Sequence, residues 1–117
     1  MADVQPAPWF EASEIRDRVA RIQAQLAEDR QDALLAFFPE SVTWSTGFFT
    51  RGYSSFQFAI IPVDGDPVIV CRDVEAYYLD LTCVFPGRLL WTDSDDKTKV
   101  ASNAITSVNG QRRNIAV

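Results

Sequence analysis

The chain has 117 residues and a formal net charge of −5, with 47% hydrophobic and 12% aromatic residues. This size and composition predict one globular domain with a packed core and exclude intrinsic disorder. The acidic balance argues against a nucleic-acid partner bound through a basic face. The sequence contains no histidine, which excludes Ser-His-Asp and Cys-His catalysis and imidazole metal sites.

The first nine residues contain two prolines and no hydrophobic periodicity, so we expect a short arm at 1–9 before a domain spanning 10–117. They lack the basic and apolar regions of a signal peptide, and no later apolar run is long enough for a membrane span. We therefore expect a cytoplasmic protein with no membrane partner. In that compartment, Cys71 and Cys83 are expected to be reduced, buried side chains and not a disulfide or a metal site.

A helix between Glu11 and Arg30 is predicted by apolar residues that recur at steps of three and four, namely Ile15, Val19, Ile22 and Leu26. We expect this stripe to pack on a sheet that contains the next segment, 33–38. The unbroken apolar run of that segment is typical of a strand covered on both faces. Pro39 then begins a short helical turn that closes at Gly47.

The rest of the chain predicts alternating strands and helices. The dipeptide Asp64-Gly65 indicates a hairpin turn, Asp73 suits a helix cap, and the acidic residues before Lys97 suit the N-terminus of a helix that Gly110 ends. The predicted elements are a strand hairpin, a helix, a strand, a helix and a last strand, over 53–61 and 68–71, 74–81, 88–91, 97–108 and 114–117. This order predicts an α/β domain with a mixed sheet and helices on both faces.

Two motifs suggest ligand loops but fail at decisive positions. The stretch 47–54 has the glycine spacing of a phosphate-binding loop, yet Tyr53 stands where the lysine must be. The run Asp93–Asp95 begins like a calcium loop, yet Lys97 and Thr98 stand where a ligand and a glycine are needed. We therefore expect no catalytic residue, no metal site and no cofactor in this chain.

The loop 44–56 is unusual for a plain connection, because it sets large aromatic side chains and an arginine around two glycines. We expect Trp44 and Phe48 to belong to the core. Exposed aromatic and arginine side chains are enriched at contact surfaces, so Phe49, Arg51 and Tyr53 are candidates for contact with a partner or a ligand. The alternative is an ordinary connection whose aromatics fold back onto the core.

Four motifs in chain order resemble the amino-terminal domain of the creatinase/prolidase family: EIRDRVARI at 14–22, DALL at 32–35, VTWSTGF at 42–48 and DGDPVIV at 64–70. The resemblance runs from about Phe10 to Val117. It implies a three-layer α/β domain with a mixed sheet of the ribonuclease-H-like type, flanked by helices.

The resemblance also implies a second, carboxy-terminal catalytic domain of pita-bread fold, absent from this chain, in which two divalent metal ions are held by Asp, His and Glu. In such proteins the amino-terminal domain is not catalytic. It packs in a homodimer interface and covers part of the neighbouring subunit's active site. We therefore expect a domain that is inactive alone, with a metal-dependent Xaa-Pro peptidase-like or related C–N hydrolase as its parent.

One departure from the family pattern bears on the substrate. Members that act on creatine carry an aromatic residue followed two positions later by an arginine that reaches the neighbouring active site. The matching positions here are Tyr53 and Ser55, so that arginine is absent and a prolidase-like parent is favoured over a creatine hydrolase. The candidate residues for substrate access or interface contact are Phe49, Arg51, Tyr53 and Ser55.

Two rival functions remain open from the residues alone. The first is a free-standing ligand- or protein-binding module that uses the loop 44–56. The second is a small enzyme that relies on a lone carboxylate such as Glu40 or Asp80, although scattered acids do not indicate a catalytic pair.

Overall fold

A computed structural model describes residues 10–52, 55–112 and 114–117 of the chain. In this part, five strands form one sheet, which four helices and a short 3-10 turn flank. The elements are α1 (Ala12–Glu28), β1 (Ala33–Ala36), α2 (Pro39–Thr46), β2 (Phe58–Pro62), β3 (Val68–Arg72), the 3-10 turn (Asp73–Glu75), α3 (Ala76–Thr82), β4 (Arg88–Trp91), α4 (Lys97–Asn109) and β5 (Ile115–Ala116). The predicted arm at 1–9 lies outside the described residues.

The sheet is mixed, with the strand order β4-β3-β2-β1-β5. Strand β2 runs antiparallel to β1 and β3, whereas β4 pairs parallel to β3 and β5 pairs parallel to β1. The predicted hairpin is confirmed, since Phe58 pairs with Val70 across it and Gly65 adopts φ 102° in the turn. The start of β2 and the ends of the other four strands therefore lie at one edge of the sheet.

Helices cover both faces of the sheet, so the predicted three-layer α/β architecture is confirmed. Along β2, successive side chains alternate between the two faces, as the pleat requires. Phe58 and Ile60 pack with Ala104 of α4, while Ala59 and Ile61 belong to the clusters formed with α1, α2 and α3. All four side chains of this central strand are fully shielded from solvent.

Helix α1 buries the predicted stripe against the sheet. Ile15 and Val19 pack with Ile61, and Leu34 of β1 contacts the same cluster. Ile15 is 0% exposed, whereas Ile22 is only half-buried, because it lies at the border of the contact between α1 and the sheet. None of the helices in the described part of the chain is long and apolar enough to span a membrane.

Two strand boundaries differ from the predictions because backbone partners decide where a strand ends. Strand β1 ends at Ala36, which pairs with Ala59. Residues 37 and 38, predicted to continue the strand, lie beyond it, and Phe38 is 73% exposed. Strand β2 begins at Phe58, whose pair with Val70 is the first across the hairpin, so the described residues 55–57 do not belong to the strand. The predicted start, Tyr53, lies outside the described residues. The aromatic residues before Phe58 that the structure describes belong to the loop.

The predicted helix caps have mixed outcomes. Asp73 was expected to cap a helix, but it begins the 3-10 turn, and no side-chain hydrogen bond caps either that turn or α3. Asp96 caps α4, since its carboxylate accepts hydrogen bonds from the backbone N–H groups of Thr98 at 2.9 Å and Lys99 at 3.3 Å. Gly110 follows the helix with φ 62°, as predicted.

Candidate functional site

Residues 44–46 of the candidate loop 44–56 belong to α2, and the part that follows the helix begins at Gly47, beside Thr82 of α3. Gly47 has φ 81°, and a Cβ atom at this position would lie 2.7 Å from the carbonyl oxygen of Thr82. The Thr46 hydroxyl donates to the carbonyl oxygen of Val42 at 2.7 Å and accepts from the backbone N–H of Phe48 at 3.2 Å. A glycine is therefore required to send the chain past α3 into the loop.

The turn that follows, Phe49–Gly52, is held by hydrogen bonds to α3 and to the 3-10 turn. The backbone N–H of Phe49 donates to the Thr82 hydroxyl of α3 at 3.0 Å. The Thr50 hydroxyl donates to the carboxylate of Glu75 and accepts from the backbone N–H of Gly52 at 2.9 Å. Two separate elements thus fix the backbone of the turn.

Glu75 is the buried anchor of this arrangement, since only 6% of its surface is exposed. A buried carboxylate is costly unless it is hydrogen-bonded, and Thr50 provides a donor. Gly52 packs directly on the carboxylate, so that a Cβ atom there would overlap it. Sequence reasoning missed both Glu75 and Thr50. The available signal was an acidic residue inside the otherwise apolar run 74–79.

Three of the four candidate contact residues lie in the described part of the chain. Phe49 is 36% exposed, and Arg51 is also exposed. Ser55 is half-buried and closes the turn, since its backbone N–H and its hydroxyl both donate to the carbonyl oxygen of Gly52. Tyr53 lies outside the described residues. The turn thus holds Phe49, Arg51 and Ser55 together, and their contact with a partner stays a prediction.

The expectation for the two core aromatics is half right. Phe48 is buried with 2% exposure, but Trp44 is 44% exposed. The Trp44 ring is covered by the buried guanidinium of Arg18, which lies 4.8 Å from its centroid and 4.5 Å from that of Phe10. The same guanidinium donates to the Trp44 carbonyl oxygen at 2.9 Å and to Glu14 at 2.7 Å. Trp44 therefore packs on a charged group from α1 and not in the apolar core.

A cavity of about 590 Å³ opens between α2 and the turn, a volume in the usual range of small-molecule sites. Its walls include Phe10, Glu40, Trp44, Phe48, Phe49 and Gln57. The candidate loop therefore borders a concave surface with four aromatic side chains, and it also presents Arg51 to solvent.

The thiols offer no nucleophile. Cys71 is buried, Cys83 is half-buried, and both are free. Burial, and to a lesser degree the nearby charge of Glu75, raise the pKa of the Cys71 thiol to about 12. Burial also raises the pKa of Cys83. Both thiols are therefore protonated at neutral pH, and the thiolate that nucleophilic chemistry needs is not formed.

Within residues 10–52, 55–112 and 114–117, no group of three or more Cys, Asp and Glu side chains is arranged to hold a metal ion. The described residues do not fit the pair of divalent ions that the family resemblance implies for a catalytic domain. No catalytic step is therefore derived through a metal in this chain.

Solved structures of dipeptidases share this fold. A proline dipeptidase from Streptococcus pneumoniae is 19% identical with a TM-score of 0.65, covering 74% of this chain and 63% of that chain. Dipeptidase PepE from Mycobacterium ulcerans is 18% identical with a TM-score of 0.70, and the match covers 82% of this chain and 27% of that chain. The creatinase/prolidase N-terminal domain of an X-Pro dipeptidase from Streptococcus pyogenes is 16% identical with a TM-score of 0.62. That match covers 74% of this chain and 66% of that chain.

At these identities the likeness shows the fold, and the chain spans less than two thirds of each of these structures. No curated protein sequence matches the chain. The family model of the creatinase/prolidase N-terminal domain matches residues 18–117. With the three-layer mixed sheet described above, this match confirms the predicted family: the chain belongs to the creatinase/prolidase N-terminal domain family.

Proposed function

We propose that the chain is the non-catalytic amino-terminal domain of a metal-dependent hydrolase related to the Xaa-Pro dipeptidases. In this proposal it contributes to a homodimer and covers part of the neighbouring subunit's active site with residues of the loop 44–56, including Phe49, Arg51 and Ser55. The metal ions and the catalytic residues belong to a carboxy-terminal domain that follows Val117. Support comes from the family match and from the dipeptidases among the structures of the same fold.

The observation that carries the proposal is the combination of exposed contact side chains with a fixed backbone. Phe49 and Arg51 are exposed, while Glu75 and Thr82 hold the turn that bears them. Binding through a fixed turn loses less conformational entropy than binding through a free loop. Aromatic and arginine side chains are also the residues that contribute most at interfaces.

The charge of Arg51 suits the chemistry of a dipeptide substrate. A guanidinium presents parallel N–H donors that match a carboxylate, and a dipeptide carries one carboxylate at its C-terminus. An arginine held at the mouth of a neighbouring active site would therefore bind short peptides and disfavour longer ones. This gives the domain a function in substrate selection without a catalytic residue of its own.

The first test is the coding sequence beyond Val117, where we expect Asp, His and Glu metal ligands. In the protein so defined, Arg51→Ala should lower kcat/KM for an Xaa-Pro dipeptide by about 10- to 100-fold, the cost of losing a hydrogen bond between charged groups. The matched control is Arg21→Ala, because Arg21 is an exposed arginine of α1 whose ion pair in the described part of the chain is with Asp17, one helical turn away, at 3.4 Å. Unchanged kinetics for Arg51→Ala in a dimeric protein would contradict the proposal.

A second candidate function is a ligand-binding module that uses the loop 44–56. The cavity of about 590 Å³ bordered by Trp44, Phe48 and Phe49 favours it. A stop codon directly after Val117, together with a ligand in this cavity, would support the module over the covering domain.

A further inference from the structure

The cavity beside α2 has a polar pattern that the covering function does not use. Its walls carry the aromatic rings of Phe10, Trp44, Phe48 and Phe49. Among the described residues that line it, Glu40 alone carries a charge. An apolar ligand that enters this cavity therefore meets a single negative group.

Glu40 stands next to an aromatic ring in a suitable position. It lies one helical turn before Trp44 on α2, and this spacing puts both side chains on the same face of the helix. Glu40 is exposed and forms no ion pair within the described part of the chain. A carboxylate beside an indole ring is the combination that attracts an organic cation.

The positive group that stacks on Trp44 does not cancel this attraction. Arg18 stacks on the Trp44 ring, but its guanidinium is paired with Glu14 at 2.7 Å. The charges of Arg18 and Glu14 therefore offset each other, and the charge of Glu40 is left without a partner. The overall charge of −5 acts in the same direction.

Gln57 supplies a second, independent observation. This side chain lines the cavity and is only 7% exposed, yet its Oε1 atom is shielded from water and accepts no hydrogen bond from the described residues. A buried acceptor without a donor is costly, and most buried polar groups in proteins are paired. A half-turn of the amide exchanges its oxygen and nitrogen, so Gln57 can offer either group to a ligand.

From these observations we propose that the cavity binds a small organic amine, a primary ammonium group on an aromatic-sized apolar body. The ammonium group pairs with Glu40 next to the ring of Trp44, and its N–H donors match the acceptor of Gln57. The apolar body packs against Phe48 and Phe49. This inference does not depend on the covering function, because it needs no catalytic domain.

The test is a titration of the chain with 2-phenylethylamine, in which binding is measured by calorimetry and by NMR. The neutral analogue 2-phenylethanol has the same body and serves as the comparison. We expect the amine to bind with a Kd of about 1 mM, roughly tenfold more tightly than the alcohol. The NMR signals of the Gln57 side-chain amide and the Trp44 indole should shift on binding.

Two variants separate the contributions. Glu40→Gln should remove the preference for the amine, so that both ligands bind within about twofold of each other. The matched control, Glu28→Gln at the exposed end of α1, should leave the preference intact. Gln57→Met keeps an unbranched side chain but removes the hydrogen-bond acceptor, so it should weaken the binding of both ligands.

The proposal is overturned by equal binding of amine and alcohol to the unmodified chain, by a preference that survives Glu40→Gln, or by no binding up to about 20 mM. A neighbouring groove of about 450 Å³ also contains Glu40 and Trp44 in its lining, together with Ile22 and Leu34. Shifts of the Ile22 and Leu34 methyl signals without a shift of Gln57 would place the ligand there and also overturn it. Should Gln57→Met fail to fold, the Glu40→Gln comparison still decides the question.

Discussion

The contact between Thr50 and Glu75 should stabilise the whole domain and not merely its turn. Both residues are buried, with 3% and 6% exposure, and the Thr50 hydroxyl donates to the carboxylate. Thr50→Val keeps the shape but leaves the buried carboxylate without this donor. We expect a loss of about 1.5–3 kcal/mol in the free energy of unfolding, the usual range for a hydrogen bond to a charged group.

Glu75→Met removes the charge and leaves the Thr50 hydroxyl without its acceptor, so we expect a loss of about 1–3 kcal/mol. The double variant removes both polar groups together. Because neither group is then left unpaired, its loss should be smaller than the sum of the two single losses by about 1–2 kcal/mol. Gly52 still loses the hydroxyl that its N–H donates to, which keeps the double variant below the unmodified chain in stability.

The assay is urea unfolding followed by circular dichroism for the unmodified chain, both single variants and the double variant. The matched control is Thr98→Val on the exposed face of α4, which should stay within about 0.5 kcal/mol. Additive losses, with a coupling below about 0.5 kcal/mol, would mean that Thr50 and Glu75 contribute independently and would contradict this prediction.

Three further outcomes follow from the same packing. In denaturant melts, Ile15→Ala should lower the free energy of unfolding by about 2–5 kcal/mol. The same change at the half-buried Ile22 should lower it by less, and equal losses would contradict the burial pattern. Gly47→Ala should cost at least about 1 kcal/mol in the same melts, because φ 81° and the Thr82 carbonyl oxygen both oppose a Cβ atom. Since the pKa of Cys71 is raised from 9.0 to about 12, its thiol stabilises the fold fully below pH 9 and loses this contribution as pH rises towards 12. Urea melts from pH 8 to 11 should show this fall, and Cys71→Ala should reduce it.

The order of the elements could be predicted because hydrophobic periodicity and turn residues are local signals. The stripe of α1 and the Asp-Gly hairpin lie within short windows of the sequence. The start of β2 could not be predicted in this way, since Phe56 also has strand propensity, yet the strand begins only at Phe58, which pairs with Val70.

The candidate site was harder to predict from the sequence, because its contacts join residues that are far apart along the chain. Thr50 and Glu75 are 25 positions apart, and Arg18 and Trp44 are 26 apart. Arg18 belongs to the polar pattern of α1, yet it is 7% exposed because Phe10 and Trp44 stack on its guanidinium. Only the tertiary fold brings together the rings that bury this charge.

Under the proposed function, Arg51 of one subunit acts at the active site of its neighbour. Mixed dimers of the proposed longer protein, which carries the catalytic domain, are the most direct measurement of this. One dimer pairs an Arg51→Ala subunit with a subunit whose metal ligands are removed; the other carries both changes in one subunit beside an unmodified one. We expect high dipeptidase activity for the first dimer, because its intact active site faces an intact Arg51. The activity of the second dimer should be lower by about 10- to 100-fold. The opposite order would show that Arg51 acts within its own subunit, and equal activities would show that it does not act at the active site.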